Sequence, residues 1–279
     1  MKKISRRSFL AAAGLSVAAL ALTACGGSSA STASSVVSSA ASSEAASTSA
    51  AAGELTTVEA GKLTMATNAA FPPYEMTTDA GEFEGIDIET AQAIADKLGL
   101  ELQIDDMDFD AALLSVQQGK ADIVMAGVTV TDERKAVMDF SDSYATGIQS
   151  IIVPEGSDIA SPDDLAGKKI GTQRGTTGYI YCSDDFGDDN VVAYDDGLTA
   201  VQALNNGQVD AVVIDNAPAQ EFVAANPGLK ILDTSYAEED YAIGMAKGSS
   251  LEDAVNAALE ELKADGTLQS IVDKYITAE

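Results

Sequence analysis

Histidine and tryptophan are absent from this chain of 279 residues, and cysteine occurs only twice, as Cys25 and Cys182. The lack of histidine excludes Ser-His-Asp and Cys-His catalysis, together with every metal site that needs imidazole ligands. Two cysteines cannot build a multi-thiolate zinc or iron–sulfur centre. We therefore expect neither a metal ion nor a cofactor, and any catalysis would depend on carboxylates, lysine, tyrosine or a single thiol.

Basic residues are also scarce, since 16 lysines and arginines face 44 aspartates and glutamates, for a net charge of −28. Such a surface repels phosphate, so nucleic acid is not expected as a partner. Anionic lipid headgroups repel it too, so attachment to a membrane would need an anchor other than charge. Hydrophobic residues make up 46% of the chain, which is enough for a sizeable core. The length suits about two domains.

Residues 1–25 have the pattern of an export signal. Four basic residues precede an uncharged apolar run from position 9 to 24, which is short for a membrane span. The run ends in Leu-Thr-Ala-Cys, which resembles a bacterial lipobox; a cysteine that happens to end an apolar run is the alternative. We predict that Cys25 carries a diacylglyceryl anchor, whose two acyl chains would give stable attachment to the membrane. Residues 5–10 also resemble a twin-arginine motif, and the export route stays open.

Residues 26–53 form a low-complexity segment. All but three of them are glycine, alanine, serine or threonine, so the segment has no apolar period and nothing to bury. A chain of this composition has a root-mean-square reach of roughly 30 Å. We predict a tether that holds a folded domain away from the membrane.

From residue 62 onward, apolar strand patterns alternate with amphipathic helix patterns. Residues 63–67 predict a strand, 88–98 predict a helix that ends at Gly99, and 121–126 predict a buried strand. This alternation predicts an α/β fold with parallel strands.

One unit occurs twice along the chain. Each copy combines an amphipathic helix, a glycine stop and a buried strand that is entered through an aspartate. Gly119 corresponds to Gly207 and Asp122 to Asp210, at a constant offset of 88 positions. Although such a joint can recur by chance, we interpret the repeat as two lobes of like topology.

Two lobes of this kind predict where a ligand binds. In open α/β sheets, ligands lie beyond the carboxyl ends of the strands. The strand ends at 126–129 and 214–216 would therefore face each other across a cleft, with Asp215 inside it.

Several short motifs follow one another along the chain. They are A-T-N-A-A-F-P-P-Y at 66–74, G-I-D-I-E at 85–89, A-G-V-T-V-T-D-E-R at 126–134, D-F-S-D at 139–142 and Q-R-G-T-T at 173–177. In this order and spacing they resemble the family-3 bacterial extracellular solute-binding proteins, the amino-acid receptors of ABC importers. The resemblance covers roughly residues 62–279 and is closest to receptors for glutamine and other polar amino acids.

The resemblance implies a type II periplasmic-binding-protein fold: two doubly wound α/β lobes that are joined by a two-strand hinge and close on a ligand. It implies that residues 54–144 and 242–279 form lobe one and that 149–236 form lobe two. The hinge strands would lie near 144–148 and 237–241.

The resemblance also implies a cage for a free amino acid, whose carboxylate and ammonium both need partners when buried. Arg134 would bind the carboxylate with Thr129 and the backbone N–H of Thr177, since its planar guanidinium matches a carboxylate. Asp215 and the carbonyl of Ala126 would bind the ammonium. A solvated arginine and a solvated loop aspartate are the alternatives. The remaining expected site residues complete the shell or flank the ligand side chain: Gly127, Gln173, Thr176, Asn68, Phe71 and Phe109, the last of which could equally belong to the core.

We therefore expect an extracytoplasmic, lipid-anchored receptor that delivers an amino acid to an ABC permease and is not an enzyme. The same fold hosts cyclohexadienyl-type dehydratases, which here would need a carboxyl or tyrosine proton donor in the cleft. A ligand-binding subunit for a signalling partner is a third reading.

The identity of residue 68 bears on ligand specificity. Asn68 stands where relatives that bind lysine, arginine or glutamine often carry an acidic residue. An amide hydrogen-bonds a neutral polar group but cannot neutralise a buried cation. We expect a neutral polar ligand first, an acidic one second and a cationic one last. A preference for a cation would imply that another carboxylate, such as Glu75 or Asp110, reaches the pocket.

Overall fold

The structure is a computed structural model, and it describes residues 55–276. The predicted signal, the lipidation site at Cys25 and the predicted tether lie outside these residues. Within the described part of the chain, no helix is both long and apolar enough to cross a membrane.

The first part of the described chain, up to residue 144, contains seven strands and three helices. The strands are β1 (Lys62–Thr67), β2 (Ala70–Phe71), β3 (Glu75–Thr77), β4 (Phe83–Glu84), β5 (Glu101–Asp106), β6 (Ile123–Val124) and β7 (Met138–Phe140). The helices are α1 (Ile86–Leu98), α2 (Phe109–Gln117) and α3 (Asp132–Val137).

The second part contains six strands, three α-helices and two short 3₁₀ helices (Pro162–Leu165 and Asp188–Asn190), and the chain then returns to the first part. The strands are β8 (Ala145–Pro154), β9 (Ile170–Gln173), β10 (Val191–Tyr194), β11 (Ala211–Asp215), β12 (Leu229–Ile231) and β13 (Ala237–Tyr241). The helices are α4 (Thr177–Phe186), α5 (Gly197–Asn205) and α6 (Asn216–Ala225). The returning segment consists of β14 (Gly244–Ala246), α7 (Glu252–Ala264) and α8 (Thr267–Tyr275).

Two large sheets divide these elements between two lobes. The sheet of lobe one has the strand order β5-β1-β6-β14-β7, and the sheet of lobe two has the order β10-β9-β11-β8-β12, with β13 also paired to β8. Three strands in each sheet run parallel, as predicted, but β14, β7, β8, β12 and β13 pair in antiparallel fashion. The sheets are therefore mixed and not purely parallel. The antiparallel strands include those that carry the chain from one lobe to the other and back.

The two connections between the lobes run side by side. Strands β8 and β13 pair from Ala145–Tyr241 to Gln149–Ala237, so the predicted hinge segments form one antiparallel ribbon. The ring of Tyr241 covers Gly147, where a Cβ atom would lie 2.5 Å from the ring. The ribbon therefore requires glycine at position 147.

The predicted repeat is confirmed down to its hydrogen bonds. Gly119 and Gly207 both have a φ of +66°, a conformation that favours glycine. Asp122 Oδ2 accepts a 2.8 Å hydrogen bond from the N–H of Thr64 on β1, and Asp210 Oδ2 accepts one of 2.8 Å from the N–H of Lys169 next to β9. In both lobes the aspartate thus ties the entry of one strand to the start of its parallel neighbour.

The strand predicted at 121–126 is shorter in the structure. Only Ile123 and Val124 form β6, although all six residues are buried. The N–H groups of Asp122 and Met125 still bond to the carbonyls of Thr64 and Ala66 on β1. The apolar run therefore predicts correctly that this segment is buried, but it overestimates the length of the strand.

Helix α1 begins at a crowded position. A Cβ atom on Gly85 would lie 2.2 Å from the carbonyl oxygen of Tyr74, and the φ of Gly85 is +132°. Only glycine allows this approach, which lets Ile86 and Asp87 donate their N–H groups to the carbonyls of Pro73 and Tyr74. The first turn of α1 is thereby fixed against the segment that leads into β3.

Candidate functional site

A cavity lies between the two lobes, where the carboxyl ends of β1, β6, β9 and β11 come together. It holds about 390 Å³ of space free of protein atoms, including the part open to solvent. All eleven predicted site residues line it: Asn68, Phe71, Phe109, Ala126, Gly127, Thr129, Arg134, Gln173, Thr176, Thr177 and Asp215. The structure therefore brings the whole predicted set together, while their roles toward a ligand stay predictions.

Arg134 is buried at this cavity on the short helix α3. Thr131 caps that helix by accepting a 3.1 Å hydrogen bond from the N–H of Arg134. The guanidinium donates to the carbonyl of Thr129 at 2.7 Å and, across the cavity, to the carbonyl of Gly175 at 3.1 Å. Its central carbon lies 5.4 Å from the centre of the Phe109 ring. Three contacts thus orient a planar donor group that has five N–H bonds, and two of these bonds are used.

A buried glutamate on the second hinge strand gathers side chains from both lobes. Oε2 of Glu239 accepts hydrogen bonds from the hydroxyl of Thr129 at 3.1 Å, the hydroxyl of Thr177 at 3.0 Å and the amide of Gln149 at 3.0 Å. Burial lowers the pKa of Arg134, and the charge of the nearby Glu239 acts in the opposite direction. Glu239 therefore positions three cavity residues and also compensates the buried arginine.

Asp215 is the last residue of β11 and the N-cap of α6. Its Oδ1 accepts a hydrogen bond from the N–H of Ala217 at 3.1 Å, and its Oδ2 accepts one from the N–H of Ile148 on the first hinge strand at 2.7 Å. Burial raises the pKa of Asp215 to about 6, opposed by these donors and by the hydroxyl of Tyr241. Asp215 is thus ionised at neutral pH in a largely desolvated place. That environment favours a cation as its further partner.

Lobe two contributes the start of a helix to the cavity. Thr176 is the N-cap of α4: its hydroxyl accepts from the N–H of Tyr179 at 3.3 Å and donates to the carbonyl of Gln173 at 2.8 Å. Thr177 is the first residue of the same helix. The N-terminus of a helix presents backbone N–H groups and a positive partial charge, which suits an anion.

Aromatic rings form the wall of lobe one. Gly127 has a φ of +53°, and a Cβ atom there would lie 2.9 Å from the ring of Phe71 and 3.1 Å from the ring of Tyr241. Phe109 lines the cavity and also packs in a hydrophobic cluster of lobe one, so its two proposed roles coexist. The rings leave room only for a bare backbone at Gly127.

An amide pair spans the cavity at its other end. Asn68 donates from Nδ2 to the carbonyl of Met107 at 2.9 Å and accepts at Oδ1 from Nε2 of Gln173 at 2.8 Å. Asn68 belongs to lobe one and Gln173 to lobe two. Together with the bond from Arg134 to Gly175, this contact holds the facing surfaces in register.

The cavity also contains residues that the sequence analysis did not name as expected site members: Glu75, Gln149, Ile214 and Tyr241. Glu75 is fully buried, whereas Asp110, the other carboxylate considered, is exposed and absent from the lining. Exposed Glu238 and Asp240 alternate with buried Glu239 and Tyr241 along β13, but the acidic run Glu-Glu-Asp gives no sign of this alternation in the sequence.

Two mixed α/β lobes on a two-strand hinge, with a cavity between their strand ends, define a type II periplasmic-binding-protein fold. The model of the bacterial extracellular solute-binding proteins, family 3, matches residues 63–278. The chain belongs to this family.

Named relatives agree with this membership. The L-cystine-binding protein TcyJ of Escherichia coli (strain K12) is 33% identical over 226 residues, which cover 79% of this chain and 85% of TcyJ. The solved structure of an ancestral arginine-binding protein bound to glutamine is 42% identical, covers 78% of this chain and 99% of that chain, and has a TM-score of 0.75. The amino acid ABC transporter substrate-binding protein AbpA of Streptococcus pneumoniae, bound to L-arginine, is 38% identical, covers 77% and 94%, and has a TM-score of 0.73.

Proposed function

We propose that this protein binds a free amino acid between its lobes and delivers it to the permease of an ABC importer. The observation that carries the proposal is that buried Arg134 and buried Asp215 line the same cavity. A free amino acid at neutral pH carries one carboxylate and one ammonium, and each buried charge needs a partner. Arg134 and the start of α4 suit the carboxylate, and Asp215 suits the ammonium.

The similar proteins described above also support the proposal. TcyJ is described as a cystine-binding protein, and AbpA as the substrate-binding protein of an amino acid ABC transporter. This likeness supports our proposal that the protein acts as a receptor and not as an enzyme, with a permease as its protein partner. The signalling-partner reading differs only in which membrane protein docks on the lobes.

The proposal includes the N-terminal organisation read from the sequence. Residues 1–25 would be removed as a signal, Cys25 would carry the diacylglyceryl anchor, and 26–53 would tether the lobes outside the cytoplasmic membrane. The lobes would span 54–144 with 242–279, and 149–236. An anchored receptor stays close to its permease, which raises the local concentration of the pair.

The ligand side chain would extend toward Asn68 and Gln173. Both amides are already hydrogen-bonded to one another, and Phe71 and Phe109 supply apolar surface beside them. Amides serve a neutral polar side chain as donors and acceptors. We propose a neutral polar amino acid as the preferred ligand, then an acidic one, then a cationic one.

The experiment is a thermal-shift screen of the purified full chain against all proteinogenic amino acids and cystine. A ligand at a hundred times its Kd stabilises the native state by about 2.7 kcal/mol, which raises the Tm by several degrees for a protein of this size. At least one amino acid should produce this shift. A flat response to the whole set would refute the proposal. Turnover of arogenate or prephenate would support the dehydratase alternative in its place.

A further inference from the structure

Two acidic side chains are buried together beneath the cavity. Glu75 begins β3 and lines the cavity, and Asp87 is the second residue of α1; both have 0% exposed surface. The hydrogen bond from the N–H of Asp87 to the carbonyl of Tyr74 brings the start of α1 against the residue before Glu75. This backbone contact brings the two acidic residues close together, and the charge of Asp87 acts on the carboxyl of Glu75.

Their hydrogen bonds are unequal. Oδ2 of Asp87 accepts from the N–H of Gly127 at 3.0 Å and from the hydroxyl of Tyr144 at 2.8 Å. Oδ1 of Asp87 and both oxygens of Glu75 are buried without a partner. Two ionised carboxylates can only accept, so they cannot bond to each other. One proton on Glu75 would make it a donor to Oδ1 of Asp87 and would supply the missing bond.

We propose that Glu75 is a neutral carboxylic acid at neutral pH, hydrogen-bonded to the Asp87 carboxylate, and that this pair positions Gly127 and Tyr144 at the cleft. The proton belongs on Glu75 because Asp87 already has two donors that stabilise its charge, whereas Glu75 has none. Glu75 is thus a positioning residue that acts through Asp87.

The electrostatic surroundings agree with this assignment. Burial raises the pKa of Glu75 well above its ordinary value, and the charge of Asp87 and the hydrogen bond that a protonated Glu75 would donate to Asp87 add to the effect. Burial also raises the pKa of Asp87, but only to about 6, because the donors from Gly127 and Tyr144 oppose it. The titratable groups that act on the pair or on its tyrosine neighbours are all acids or phenols: Asp106, Tyr74, Tyr144, Asp215, Glu239 and Tyr241. Within residues 55–276, no lysine or arginine forms an ion pair with either carboxyl.

The pair connects two parts of the binding machinery. Gly127 lines the cavity with a φ of +53° and lies against the rings of Phe71 and Tyr241. Tyr144 directly precedes the first hinge strand and bonds through its N–H to the carbonyl of Tyr241 on the second. The importance of the Glu75–Asp87 pair for ligand binding rests on the proposed function, but the protonation of Glu75 is measurable without any ligand.

Carboxyl ¹³C NMR of the full chain, labelled in its glutamates and aspartates, tests the protonation directly. We expect one carboxyl signal at the protonated position at pH 7, and its loss in Glu75→Gln but not in the control Glu84→Gln. Glu84 is exposed on neighbouring β4, so the control makes the same chemical change outside the pair. A wild-type spectrum in which every side-chain carboxyl is ionised at pH 7 would overturn the proposal, whether or not the variant folds.

The pH dependence of urea unfolding gives a second readout. The folded state retains a proton on Glu75 that the unfolded chain has lost, since an unfolded glutamate has a pKa of about 4.3. Stability therefore falls as pH rises, and this group alone increases the unfolding constant about tenfold per pH unit between pH 6.5 and 7.5. The chain has no histidine, and Asp87 and Asp215, with pKa values of about 6, add only a smaller slope in that window. Glu75→Gln, whose amide donates like the protonated acid, should remove that tenfold slope, and Glu84→Gln should retain it. Equal slopes in wild type and Glu75→Gln would contradict the proposal.

Discussion

Replacing Arg134 with alanine is the most direct perturbation of the proposed cage. The side chain is buried, and its guanidinium is held by the carbonyls of Thr129 and Gly175 and by the ring of Phe109. In the variant, a ligand carboxylate would enter the same desolvated cavity without its cationic partner. The loss should therefore include the cost of leaving that charge unpaired and not only the loss of two hydrogen bonds.

The magnitude follows from the burial. Truncating one partner of a buried, hydrogen-bonded charge pair costs about 2–5 kcal/mol of binding free energy. At 25 °C this corresponds to a rise in Kd of about 30-fold to several thousand-fold. Arg134→Lys keeps the positive charge but loses the planar two-pronged donor, so we expect an intermediate loss.

Isothermal titration calorimetry with the amino acid found in the thermal-shift screen measures these changes. Arg174→Ala is the matched control, because Arg174 follows the cavity residue Gln173 but is half exposed. Its guanidinium contacts Asp195 at 3.4 Å and the carbonyl of Ala193 at 3.3 Å. That variant should bind within a few-fold of wild type. Circular dichroism must show that Arg134→Ala is folded, since the bond to Gly175 also joins the lobes. A folded Arg134→Ala with less than a few-fold loss would refute the carboxylate role.

Three further expectations concern Asp215, the anchor and the ligand. The pKa of Asp215 is about 6, and its ionised form would pair with the ligand ammonium, so the affinity should fall about tenfold per pH unit below pH 6. Asp215→Asn should bind weakly, and its affinity measured by calorimetry should depend less on pH in that range. Cys25→Ser should move the protein from the membrane fraction to the soluble fraction with unchanged affinity, and a variant that still sediments with membranes would contradict lipidation. Glutamine, asparagine or serine should bind more tightly than lysine or arginine; the reverse order in calorimetry would imply that Glu75 loses its proton to pair a cation.

Much of the fold could be predicted because local patterns and tertiary structure agree. Helix α1 ends at Gly99, whose φ is +69°, and the repeated glycine and aspartate positions form the same backbone bonds in both lobes. The cavity residues were found through motifs that lie directly at strand ends, where the architecture itself creates a cleft. Asp215 is the clearest example, because the end of an apolar run was enough to place it.

The rest of the site depends on contacts that no local pattern encodes. Glu75 lies in a short polar hairpin, and it is buried only because α1 starts against Tyr74. Glu239 stands in the run Glu-Glu-Asp, which resembles a solvated surface until its pairing with β8 turns alternate side chains inward. Both residues have ionisable carboxyl side chains, so composition and hydropathy predict exposure. Their burial follows from the meeting of segments that are far apart in the chain.

The three hydrogen bonds to Glu239 have a consequence for the balance between open and closed populations. Their donors come from the loop of lobe one, the first turn of α4 and the hinge ribbon, and the hydroxyls of Thr129 and Thr177 lie 3.4 Å apart. Any rotation that separates the lobes must take at least one donor away from that oxygen, and a hydrogen bond to a charged group contributes about 1.5–3 kcal/mol. The loss of one such hydrogen bond corresponds to a bias of about tenfold to hundredfold toward the population in which the lobes are closed. The apparent affinity for a ligand depends on the fraction of the protein that is in the binding-competent conformation. A substitution at Glu239 would therefore change Kd, although this residue does not line the cavity.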